Sequence, residues 1–68
     1  MDTLIAIYLE NIETSGQTGF EFFEDEAAAD NHLQKVINDI KSYGKELEFK
    51  AVKREVSYDK HNNRVSFS

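Results

Sequence analysis

The chain has no cysteine. A disulfide framework and a thiolate metal site are therefore excluded, and the composition suits a reducing compartment. A long apolar run is also missing. The start, MDTLIAIYLENI, falls well short of the ~20 apolar residues that a membrane span requires, and Asp2 stands where a signal peptide carries a base. A cytoplasmic protein with no membrane segment is expected. Catalytic motifs are missing too: there is no HExxH and no nucleophile elbow. GQTG, residues 16–19, has two glycines but no following Lys-Ser/Thr and runs into a strand pattern, which makes it a hairpin turn and not a phosphate loop. The clustered acids Glu24, Asp25, Glu26 and Asp30 lack the alternating spacing and mid-loop glycine of a calcium loop. His32 falls at the edge of a helical apolar stripe and His61 in a turn, and neither has a partner pattern for metal or acid–base work. No cofactor, metal or catalytic residue is expected, and a domain this small leaves little room for a substrate pocket beside its core.

What is present is a foldable core of modest size. The 68 residues form a single domain, 1–68, and 40% are hydrophobic, with five Phe and three Tyr. That is too apolar for a disordered chain. A domain of this length buries only about 60% of its unfolded surface, so a partner would help to stabilise it. The formal net charge is −5, unevenly spread. Residues 10–30 carry seven carboxylates (Glu10, Glu13, Glu21, Glu24, Asp25, Glu26, Asp30) and no Lys or Arg, whereas residues 45–64 carry six bases and four acids.

Periodicity orders the chain. LIAIYL, residues 4–9, is apolar on both parities, with Ile5, Ile7 and Leu9 on one face and Leu4, Ala6 and Tyr8 on the other. Such a run predicts a central strand covered on both sides. A turn within residues 13–19 follows, with its tip at either Thr14-Ser15 or Ser15-Gly16, and FEFFE then predicts a second strand. Phe20 and Phe22 share one face of that strand, and Glu21 and Phe23 the other. From Ala29 the period becomes helical: Ala29, Leu33, Val36, Ile37, Ile40 and Tyr43 form one stripe. The acids before it are placed to start a helix, with Glu24 or Asp25 at the N-cap and the shorter Asp the better residue there. Gly44 is placed to end the helix. The period then returns to two. Leu47, Phe49 and Ala51 share one parity while Val52, Val56 and Tyr58 share the other, a slip that predicts a bulge near residues 51–53. Pairing Val56 with Phe67 also pairs Tyr58 with Val65 and Asp59 with Arg64 as an ion pair. This register leaves His61-Asn62 as a two-residue tip, or a longer loop across KHNN.

The expected fold is α+β: a two-layer arrangement, order β-β-α-β-β, with one helix on one face of a four-stranded antiparallel sheet. One helix covers one face, so apolar residues on the other (Leu4, Tyr8, Phe23, Val65 and Phe67) are candidates for a partner or dimer surface. The seven acids of residues 10–30 are candidates for docking on a basic protein surface, including one that normally holds nucleic acid. In size and charge the chain is similar to small acidic phage proteins that inhibit host nucleic-acid enzymes, a resemblance of kind that no motif carries. Direct nucleic-acid binding is disfavoured, because Glu46, Glu48, Glu55 and Asp59 interleave with Lys50, Lys53, Arg54, Lys60 and Arg64. The expected function is a non-enzymatic protein-binding module, with a self-associating homodimer as the alternative.

Overall fold

A computed structural model of the chain describes residues 2–67, the last of them through its backbone alone. It is an α+β fold: β1 (Asp2–Asn11), β2 (Gln17–Phe23), α1 (Glu26–Ser42), β3 (Phe49–Asp59) and β4 (Arg64–Phe67) follow one another along the chain. The four strands form one antiparallel sheet in the order β2-β1-β3-β4. β1 is thus central, as its two apolar parities predict. Ile5 and Ile7 enter a cluster with Ala29 of α1, flanked by Phe23, Leu33 and Val36. Ala6 and Tyr8 enter a second cluster with Val56, flanked by Leu4, Phe20, Val52 and Val65.

The helix begins and ends where its chemistry dictates. Asp25 is the N-cap, and its Oδ1 accepts the Ala27 N–H at 3.3 Å. At the other end Gly44 adopts φ +66°, the Lys45 N–H donates to the Ile40 carbonyl and the Gly44 N–H to the Lys41 carbonyl. These are the two bonds of a Schellman cap, which needs a residue at positive φ and so favours glycine.

The strands depart from expectation in three places. β1 and β3 pair without interruption from Asp2↔Tyr58 to Asn11↔Phe49, so there is no bulge at residues 51–53. The parity slip has another cause. Ala51 stands beside Leu9 on the helix side, whereas Val52 and Val56 stand beside Tyr8 and Leu4 on the other side, so one regular strand is buried on different faces along its length. The bulge lies instead in β2, where Gly19 and Phe20 together oppose Tyr8 and Gly19 takes φ +69°. Finally, the second hairpin has the expected pairs Val56↔Phe67, Tyr58↔Val65 and Asp59↔Arg64, and of its two expected connections it takes the longer one across residues 60–63, with Asn63 at φ 53°. Asp59 directs both carboxylate oxygens into that loop, accepting the His61 N–H (3.0 Å) and the Asn62 amide (2.8 Å), in place of the ion pair expected with Arg64.

The first hairpin closes through residues 12–16, a longer loop than either two-residue tip. Asn11 organises it: its Oδ1 accepts the N–H groups of Glu13 and Thr14, and its carbonyl accepts the Ser15 N–H. Ser15 itself takes φ 63°.

Candidate functional site

Two surfaces were candidates from the sequence, and the fold treats them differently. The acidic stretch is dispersed. Glu10 faces Lys50 across the β1–β3 ladder and pairs with it at 3.0 Å, which together with the amide of Gln17 holds its carboxyl below the usual range. Glu26 and Asp30, one turn apart on α1, both reach Lys53, at 3.8 and 2.6 Å. The Asp30 hydrogen bond raises the Lys53 amine above its ordinary value. Asp25 is committed to the helix cap. Among the described residues, Glu13, Glu21 and Glu24 make no ion pair. The bases of β3 are similarly divided: Lys50 lies beside Glu10 and Lys53 beside Ile7, at positions of opposite parity that point to opposite faces of the sheet.

The apolar candidates also separate. Phe23 pairs with Ile5 and packs in the helix-side cluster, so it does not share a face with Leu4 and Tyr8. Tyr8 is only 3% exposed although no helix covers its face. Phe20 stacks on it with ring centroids 4.7 Å apart, and Val52, Val65 and Leu4 close around it. A curled sheet therefore shields most of its own second face, and the open apolar surface expected there is largely absent. Leu4 and Val65 remain half-buried at its margin, and the side chain of Phe67 lies outside the described residues. Phe22, the next ring in the row, is the exposed one.

Exposed apolar surface gathers at the opposite end of the molecule, where the sequence pattern did not point. Between the C-terminal half of α1 and the sheet lies an open hollow of about 470 Å3, walled by Leu9, Val36, Ile40, Tyr43 and Phe49 and floored in part by Gly19. Asp39 and Lys45 stand at its wall as the charged groups. A smaller hollow of about 200 Å3 opens on the other side of Ile40 and Phe49. Beside them three large apolar side chains face solvent: Tyr43 is 78% exposed, Leu47 93% and Ile12 51%. The sequence pattern gives Leu47 a strand parity, but it sits in the tight turn before β3, where the Lys45 carbonyl accepts both the Glu48 and Phe49 N–H groups. The Glu48 carbonyl in turn accepts the Ile12 N–H, which joins that turn to the first hairpin. A lone leucine in a loop carries no signal in the sequence, and only the fold groups Leu47 with Tyr43 and Ile12.

The His32 ring packs against Phe23 at 5.2 Å, and His61 belongs to the β3–β4 loop. Among the described residues no group of three or more His, Asp or Glu side chains is placed to hold a metal ion, and no helix is long and apolar enough to cross a membrane. Compared with protein-family models, curated proteins and solved structures, the chain matches none.

Proposed function

We propose that this chain is a small acidic protein without catalytic activity that works by binding another protein, and that the apolar end of the molecule is its binding surface. The observation that carries this is Leu47: a large apolar side chain almost wholly in water, fixed by a hydrogen-bonded turn beside an apolar hollow. Leaving such a group exposed forgoes about 1.5–3 kcal/mol of burial, and a partner that covers it recovers that amount. A helix that covers one face only, the two-layer arrangement, accounts for the hollow, because its C-terminal half overhangs the sheet without filling the space below. The absence of cysteine suits work in the cytoplasm.

The test is a photo-crosslinking residue placed at position 47 and, as a control, at position 35, which is exposed on the helix. In extracts of its native cell, a discrete protein adduct should form from position 47 and not from 35. Equal or absent labelling at both positions would refute a binding surface there.

A second reading is favoured by the three carboxylates that the fold leaves unpaired, Glu13, Glu21 and Glu24: they remain available to a basic protein surface, including one that holds nucleic acid. Binding to such a protein would weaken steeply with salt and be lost in the Glu21→Lys, Glu24→Lys double variant. Affinity indifferent to both would dismiss it.

A further inference from the structure

We infer that the partner at the apolar end is a second copy of this chain, related by a two-fold axis. The inference rests on the proposed binding surface and names its occupant. Three observations converge on it.

The first is area. The chain exposes 5047 Å2, whereas a compact monomer of its mass exposes about 4,400 Å2. The radius of gyration, 12.9 Å, likewise exceeds the ~11 Å of a compact chain of this length, and the molecule is a slab of 41 × 27 × 14 Å. The surplus, roughly 650 Å2, belongs to the slab as a whole, and a flat chain of this kind has room for the ~800 Å2 that each partner contributes to a standard interface.

The second is shape. A two-fold interface joins a patch to itself, so the patch must carry both the projection and the recess. This end carries both: Leu47, Tyr43 and Ile12 project, and the hollow between Val36, Ile40 and Phe49 receives. Backbone hydrogen bonds hold the turn that presents Leu47, so little ordering is left to do on association.

The third is charge. In a chain of net charge −5, residues 39–50 are balanced, with Asp39, Glu46 and Glu48 against Lys41, Lys45 and Lys50. Lys45 pairs with Glu48 within the chain (3.3 Å) and Lys50 with Glu10 (3.0 Å), so like copies repel little through this segment. The unpaired Glu21 and Glu24 lie outside the balanced segment, as does Glu13, which follows Ile12 of the patch.

Sedimentation equilibrium of the full chain from micromolar to millimolar concentration tests the inference. The mass should rise from one chain to two. Leu47→Glu should weaken the dimer roughly a hundredfold or more. Its far-ultraviolet spectrum should be unchanged, since the side chain is already in water in the single chain. Leu47→Met should restore association, and Lys35→Glu, away from the patch, should leave it intact. A chain that stays monomeric throughout overturns the inference, as does a dimer indifferent to Leu47→Glu. In either case a foreign adduct from position 47 would keep the wider protein-binding proposal standing, and its absence would remove both.

Discussion

Lys53 and Asp59 show how far single side chains govern this small fold. The Lys53 amine lies between Asp30 and Glu26 and ties α1 to β3, and its raised pKa comes first from the Asp30 hydrogen bond. A raised lysine stabilises the fold fully below its ordinary value, and the contribution fades as pH climbs past the folded-state value, beyond about pH 10.5. Asp59 has the opposite sign. The Asn62 amide and the His61 N–H hold its carboxyl below the ordinary range, so its contribution is present at neutral pH and lost as pH falls through the acid range, below about pH 4. Asp59→Ala should therefore melt at a lower temperature than the parent at neutral pH, with the gap closing below about pH 4. Lys53→Met should show its gap at neutral pH and lose it in alkali. Both groups are in contact with water, so both gaps should be small; a gap that persists across the whole pH range would contradict the assignment. Gly44 makes a sharper residue-scale case. Nothing lies within 4 Å of the place a Cβ would occupy, so the cost of Gly44→Ala is purely the strain of φ +66°. It should be about 1 kcal/mol in urea titrations, and Gly44→Asn, which tolerates that conformation, should cost less.

Among the elements, the helix was the most legible. Asp25, the Ala29–Ile40 stripe and Gly44 are local signals, and each did locally what its chemistry requires, whereas Tyr43, expected in the same stripe, is the C-cap residue and lies in solvent. The β3–β4 register was legible for a related reason, because two apolar pairs and a short connection leave few alternatives. What a periodicity cannot distinguish is a strand that slips by one residue from a straight strand buried on different faces along its length. β3 is the second kind, and the true bulge hid in GQTG, whose glycines read equally well as a turn. Lys53 and Asp30, 23 residues apart, could not have been paired from the sequence, so the acidic stretch looked more available than it is. The apolar end escaped notice because its residues come from two connections, the end of α1 and the ends of strands, which share no period. The bulge itself predicts a measurable effect. Gly19 at φ +69° lets β2 take up one extra residue and seats Phe20 on Tyr8. Gly19→Val should cost roughly 1–2 kcal/mol, since a β-branched residue at that φ is strained. It should also shift the aromatic proton resonances of Tyr8 as the stacking is disturbed. An unchanged Tyr8 spectrum would mean that the bulge does not set the stacking.

At the scale of the whole molecule, the decisive feature is that the two clusters share one strand. Ile5 and Ile7 of β1 face α1, while Ala6 and Tyr8 of the same strand face the curled side with Val56. Neither cluster is large enough to stand alone, and neither can open without moving the backbone that holds the other. The chain should therefore unfold in one step, despite a core divided by its own sheet. Ile7→Val on the helix side should cost about 0.5–1.5 kcal/mol and Val56→Ala on the other side about 2 kcal/mol, with both lowering the same transition. Far-ultraviolet circular dichroism follows the backbone, and tyrosine absorbance follows Tyr8 and Tyr58 on the curled side, Tyr43 being already in water; the two should trace one curve in parent and variants alike. If Ile7→Val shifted the backbone curve and left the Tyr8 curve in place, the two sides would be separate units and β1 would not be coupling them. Melts run on the Leu47→Glu variant at low concentration, which should be monomeric, separate this coupling from any stability contributed by association, because dimerisation would otherwise raise the midpoint with concentration.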